Sequence, residues 1–155
     1  VDSPVTSVPR VYLDTNVFIA AYEHVSARSD HARWVLDAVE DGRIHGATSE
    51  ITLAELLVKP FQEEALAIID AYLAVIQPGA GFDVMPIERA VLIEAARVRA
   101  SRLSIRLPDA IHVATARGLR CDCVVSDDGR LDTPRGPPAI ALGPFTMDDI
   151  FARRA

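Results

Sequence analysis

Two short apolar runs, Arg10–Leu13 (RVYL) and Cys123–Val125 (CVV), stop at carboxylates: Asp14 after the first, Asp127 and Asp128 after the second. Runs this short and this apolar read as buried strands. Between them the apolar residues recur at helical spacing, so the strands are joined by helix-length crossovers. Connections of that length join parallel strands, which predicts an α/β fold around a central, mostly parallel sheet. In open sheets of this kind ligands gather outside the carboxyl ends of the strands, where Asp14 and Asp128 would converge on one crevice.

The remaining elements follow from local signals. Ala32, Val35, Leu36 and Val39 predict an amphipathic helix over residues 30–40, ended by Asp41-Gly42. Residues 43–48 (RIHGAT) form a weaker strand, and Ser49 caps a helix over residues 50–58 that Lys59-Pro60 stops. A longer helix is expected over residues 62–77, closed by Pro78-Gly79, and a strand over residues 82–87, placed at an edge or a strand end by Pro86. A helix covers residues 87–103, and Pro108 opens another that runs to residues 116–118. A strand at residues 139–142 and a small helix from about Met147 complete the chain.

The 155 residues are 50% hydrophobic and 25% charged, enough for one domain with a real core over residues 1–155. Residues 1–9 read as a flexible tail. No apolar run approaches the roughly 20 residues that cross a bilayer. The first ten residues lack a basic start followed by an apolar stretch, so the expected location is the cytoplasm. Cys121 and Cys123 can neither staple a fold nor supply four zinc ligands. With 22 acids against 16 bases the net charge is −6, so any contact with a polyanion uses a local patch or a bound metal.

Four acids carry the chemistry. Glu55, in ITLAELLV, shares a helical face with Ile51, Ala54 and Val58, which predicts an inward-facing carboxylate. Asp109 follows Pro108 in LPDAIHVATA, in a first helical turn where the dipole stabilises negative charge by about 0.3–1 kcal/mol. An Asp after a strand also caps the next turn, so each acid has a structural use of its own. As a set they repel: two carboxylates about 5 Å apart cost roughly 3 kcal/mol at an effective dielectric of about 20. A divalent cation reverses that sign, and an oxygen-rich donor set suits Mg²⁺ or Mn²⁺.

The blocks LDTNVFI around Asp14, SEITLAELL around Glu55, LPDAIHVATA around Asp109 and VVSDDGRL around Asp128 resemble the PIN-domain family, and within it VapC-type toxins of bacterial toxin–antitoxin pairs. The likeness runs from residue 11 to about residue 142, with the blocks in the family's order. It implies a three-layer αβα sandwich, Mg²⁺- or Mn²⁺-dependent endoribonuclease activity with one or two ions, a cognate antitoxin and a homodimer. Carried over by position, Asp14, Glu55 and Asp109 match the first three metal-site acids, with Asp14 and Asp109 as direct ligands, and Asp128 matches the fourth. Glu55 either ligates the ion or, through a bound water, orients and deprotonates the nucleophile.

In its last block the family commonly has Thr-Asn-Asp where this chain has Ser126-Asp127-Asp128. Only one of two adjacent acids can point inward. Asp128 is preferred over Asp127, with Ser126 beside it as a polar support. Thr15 and Asn16 either orient water or phosphate or serve the turn after Asp14.

RNA would be held by Arg99, Arg102 and Arg106, which form one basic stripe if their helix extends so far. Arg117, Arg130 and Arg135 are further cations. Leu57, Phe61 and Ile68 offer apolar surface for a partner or belong to the core. His24, His31, His45 and His112 lack zinc spacing. His112, one turn after Asp109, either reaches the site or is a satisfied histidine at the core edge. No nucleophile elbow or P-loop is present. Aspartyl-phosphate chemistry would look for a lysine near the site, and the sole lysine, Lys59, precedes a proline. The rival class is a catalytically silent PIN-like module that binds RNA or a protein partner.

Overall fold

Parallel pairing of β1 (Arg10–Leu13) with both β2 (His45–Ser49) and β4 (Cys123–Val125) puts the first strand at the centre of the sheet. The computed structural model describes residues 7–153. With β3 (Phe82–Met85) and β5 (Ala139–Ile140) at the edges, the order is β3-β2-β1-β4-β5 and each ladder is parallel. The chain therefore moves outward from β1 to β3, then returns past β1 to β4. That reversal leaves a crevice at the carboxyl ends of β1 and β4, bridged where the Asp14 N–H donates to the Val125 carbonyl at 3.1 Å.

Seven helices are described: α1 (Thr15–Glu23), α2 (Ala27–Glu40), α3 (Glu50–Gln62), α4 (Leu66–Val75), α5 (Arg89–Ser101), α6 (Leu107–Gly118) and α7 (Met147–Phe151). Strand alternation divides the core between the two faces of the sheet. Val11, Leu13, Cys123 and Val125 pack with residues of α1, α2, α3, α4 and α7. Tyr12, Ala47 and Val124 face the other way, onto α5 and α6. The result is the expected three-layer αβα sandwich. Among the described residues no helix is long and apolar enough to cross a membrane. Of the tail expected over residues 1–9, residues 1–6 lie outside the described residues.

Several expected boundaries move, each for a local reason. Helix α1 begins directly after Asp14, whose side chain accepts from the Thr15 N–H as an N-cap, so the first strand passes into a helix without a loop. Helix α2 starts earlier than expected because Ser26 and Ser29 form a capping box. Pro60 lies inside α3 instead of ending it; in the last turn its missing N–H removes only one helical bond. The long helix expected over residues 62–77 is interrupted after Gln62 by Glu64 at φ 52°, and restarts as α4. Helix α5 ends at Ser101, and Arg102 turns to β geometry.

Candidate active site

The crevice at the strand ends is lined by residues from four elements. Asp14 follows β1 and is 5% exposed. Its Oδ1 accepts from the Thr15 N–H at 2.8 Å, and its Oδ2 accepts from the Ser126 hydroxyl at 2.6 Å and the Asn16 amide at 3.2 Å. Burial raises the Asp14 carboxyl above its ordinary value, although the nearby His112 and the Ser126 and Thr15 donors act against that rise.

Glu55 reaches the same crevice from α3. Its Oε2 accepts from the Thr15 hydroxyl and lies 2.8 Å from His112 Nε2. Burial works to raise this carboxyl, but the hydrogen bond and charge of His112, with the Thr15 hydroxyl, hold it below the ordinary value. The face expected for Glu55 is corrected by the structure. Ala54 and Val58 are exposed, and α3 buries Thr52, Leu56 and Pro60 instead. Glu55 sits at the border of that buried stripe with its carboxylate half-buried.

His112, on α6, connects these groups. It is 2% exposed, and its Nδ1 lies 2.7 Å from the hydroxyl of Tyr12, which is wholly buried on β1. Burial and the neighbouring Asp14 carboxylate push Tyr12 well above its ordinary value, so its hydroxyl keeps its proton. In the neutral ring, Tyr12 then donates to Nδ1 and the Nε2–H donates to Glu55. His112 Nε2 is also 3.7 Å from Asp14 Oδ1. The sequence gives Tyr12 no functional mark; the available signal is a polar ring between Val11 and Leu13, on the opposite sheet face from both.

Asp109 lies in the first turn of α6, 5% exposed, with Pro108 at the helix start as expected. The Arg106 guanidinium spans it, Nε at 3.0 Å from Oδ2 and Nη2 at 3.5 Å from Oδ1. Asp128 caps the 3₁₀ turn Gly129–Leu131 and is gripped by Arg130 through Nε and Nη2, the latter at 2.7 Å. Arg130 Nε also approaches Asp109 Oδ2 at 4.0 Å. The Arg130 hydrogen bond holds Asp128 below the ordinary carboxylate value.

The two adjacent acids, both past the end of β4, take different partners. Asp127 accepts from the Leu142 N–H and pairs with Arg28. Ser126 links Asp14 to the Asp128 segment, because its hydroxyl donates to Asp14 and accepts from the Asp128 N–H at 2.9 Å. The three arginines expected to line one helical stripe do not. Arg99 is on α5 with its Nε on the Ile105 carbonyl, Arg102 lies past the end of α5, and Arg106 precedes α6 and faces Asp109. Arg117 and Arg135 both pair with Glu94.

The acids are thus linked through groups that include cations of the chain's own: Arg106, Arg130 and, when protonated, His112. The repulsion expected to be reversed by a divalent cation is partly offset by the chain's own arginines. Among the described residues no three acid, histidine or cysteine side chains already converge as a cage for an ion. The donor chemistry nevertheless fits one. Asp14, Glu55, Asp109 and Asp128 offer hard carboxylate oxygens, and the cations now on Asp109 and Asp128 belong to exposed side chains.

The PIN domain family model matches residues 11–136. The chain belongs to the PIN domain family. Solved structures extend the likeness of this PIN domain over most of its length. A chain of a toxin–antitoxin complex from Klebsiella pneumoniae superposes with a TM-score of 0.62 at 20% identity, over 87% of this chain and 98% of that one. VapBC2 from Rickettsia felis, bound to a DNA fragment from its promoter, gives 0.63 at 16% identity, covering 85% and 98%. VapBC-5 from Mycobacterium tuberculosis gives 0.54 at 20% identity, covering 86% and 98%. At these identities the likeness is one of fold. No curated protein sequence matches the chain.

Proposed function

We propose that this PIN domain is a metal-dependent endoribonuclease that acts as the toxin of a toxin–antitoxin pair. The observation that supports the reading is the run of contacts that links Asp14, Glu55, Asp109 and Asp128, through Ser126, His112 and Arg130, beside the sheet's point of reversal. Asp14 and Asp109 would hold Mg²⁺ or Mn²⁺, with Glu55 and Asp128 completing one or two sites. The ion would neutralise charge on the phosphorus oxygens and lower the pKa of a water.

The chain's own groups do the rest. Ser126, Asn16 and the Thr15 N–H fix the Asp14 carboxylate from both oxygens. His112 and the Thr15 hydroxyl hold Glu55 by Oε2, which leaves Oε1 to accept a proton from the attacking water. RNA as substrate and an antitoxin as partner follow from the resemblance to VapC-type toxins, and the fold shared with chains of toxin–antitoxin complexes supports them. Exposed Val58, Phe61 and Leu66 on and beside α3 and α4 supply apolar surface for a homodimer.

A second reading has its own support. Arg106 and Arg130 already neutralise Asp109 and Asp128, as expected of a catalytically silent module that binds RNA or a protein. One experiment separates them. Purified protein, freed of co-purifying partner, is incubated with structured RNAs in Mg²⁺, Mn²⁺ or EDTA, beside Asp109→Ala. Discrete cuts that need both the metal and Asp109 support the nuclease. Binding without cleavage in either metal establishes the silent module.

A further inference from the structure

The arginines in the crevice are the feature that the nuclease reading leaves unused. Arg106 and Arg130 are 61% and 44% exposed along their side chains, whereas the carboxylates they cover, Asp109 and Asp128, are 7% and 18% exposed. Each guanidinium therefore reaches in from solvent over an inward-set acid. The Arg106 charge is also felt at Glu55 and Asp128, so its influence extends past its own partner. Exposed ion pairs of long side chains hold weakly and exchange readily. A guanidinium fork fits a carboxylate and a phosphate with the same two-donor geometry.

We propose that Arg106 and Arg130 are exchangeable clasps: in the free protein they occupy the cation's place on Asp109 and Asp128, and once a divalent cation takes those carboxylates they transfer to the RNA phosphates beside the cut. The inference rests on the nuclease reading above. It gives the two residues opposite roles towards the two ligands, as competitors of the metal and holders of the substrate. A merely structural pair of arginines would not produce that opposition. It also explains how four acids share a crevice before the ion arrives.

The test uses the full chain and three variants: Arg106→Gln, Arg130→Gln and the double substitution. Both side chains are largely exposed, so the variants are expected to fold, which circular dichroism checks. Arg106→Lys, which keeps the charge but not the fork, provides a second comparison. Mn²⁺ binding without RNA is followed by the electron paramagnetic resonance signal of the free ion. Removing the guanidiniums should tighten Mn²⁺ binding by about tenfold, since a positive charge beside the ion is removed. Binding of a single-stranded oligoribonucleotide in Ca²⁺ should weaken, with the salt slope falling by about 0.7 for each phosphate that an arginine no longer neutralises. Arg106→Lys should keep the slope and lose affinity.

Unchanged or weaker Mn²⁺ binding in the double variant overturns the proposal, as does tighter Mn²⁺ binding with RNA affinity and salt slope untouched. If neither the wild type nor the double variant binds Mn²⁺, the reading of the crevice as a metal centre fails and takes the proposal with it. A wild type that binds Mn²⁺ without any gain on removing the arginines fails the proposal alone.

Discussion

The hydroxyl of Tyr12 lies 2.7 Å from Nδ1 of His112, joining the central strand to α6 directly behind Glu55. Both rings are buried and meet edge-on at 5.8 Å between centroids, so water cannot replace either partner. His112 is bonded at both nitrogens as a consequence, which fixes the plane of its ring and the donor it presents to Glu55.

Tyr12→Phe tests that relationship. The substitution keeps the ring and removes one hydroxyl, leaving a buried imidazole nitrogen without its donor, at a cost of about 1–3 kcal/mol. Urea unfolding should show that loss. On the proposed nuclease reading kcat should fall while KM holds, since the defect would lie in the aim of Glu55 and not in substrate contact. A variant as stable and as fast as the wild type would show that the Tyr12 hydroxyl does not fix His112.

Asp14→Asn should separate stability from function. The folded-state carboxyl of Asp14 is raised, with burial the largest cause, so the charged form is disfavoured in the native protein. A carboxyl raised on folding contributes stability below its unfolded pKa and loses it as pH rises through the folded value. Above the folded value that contribution is gone and the buried charge weighs against the fold. Asparagine keeps a cap acceptor for the Thr15 N–H without the charge. Thermal unfolding on the alkaline side of the folded value should give a Tm equal to or above the wild type, with the proposed cleavage abolished. A clear fall in Tm would mean that the Ser126 and Asn16 hydrogen bonds to the charged oxygen outweigh its desolvation.

The sheet was legible because its signals are local. RVYL and CVV are apolar, short and acid-terminated, and the sandwich follows from the helix-length segments between them. Pro108 marked the start of α6 for the same reason. What escaped depends on partners distant in sequence or on single dihedrals. The break between α3 and α4 rests on Glu64 at positive φ, where neither Gly nor Asn flags the turn. The inward face of α3 lies one position from the face read for Glu55, because Leu56 and Thr52 are what the sheet accepts. In the site, the four acid blocks could be read one by one, but Tyr12 and His112 are separated by 100 residues. The grip of Arg106 on Asp109 was hidden by an arginine stripe that continued a helix past its end.

Gly46→Ala should test how tightly the sheet seats α2. Gly46 is on β2, and an added Cβ would come within 2.8 Å of Phe82 Cδ2 and 2.9 Å of Val39 Cγ2. Phe82 is on the neighbouring strand and Val39 on α2, so both would have to shift. Overpacking of this kind costs about 1–3 kcal/mol. Denaturant unfolding should register it as a lower midpoint with an unchanged slope. A midpoint equal to the wild type would show that the Phe82 ring and Val39 yield freely.

Glu94→Gln should produce a loss of stability that depends on pH with a defined sign. Glu94, on α5, pairs with Arg135 at 2.7 Å, Arg97 at 3.2 Å and Arg117 at 3.7 Å, tying α5 to α6 and to the loop that follows the 3₁₀ turn. The Arg135 hydrogen bond is the main cause that holds its carboxyl below the ordinary value. A carboxyl lowered on folding contributes stability above its unfolded pKa and loses it as pH falls through the folded value. The wild type should therefore exceed Glu94→Gln in stability at pH 7, and the difference should shrink through the acid range as Glu94 takes up its proton. Glutamine keeps an acceptor oxygen for Arg135, so the neutral hydrogen bond cancels between the two proteins and the part of the difference that disappears on acidification measures the charge. Urea midpoints for both proteins between neutral and acid pH provide the comparison. A gap that widened on acidification would reverse the sign and show that Glu94 is held against its charged form.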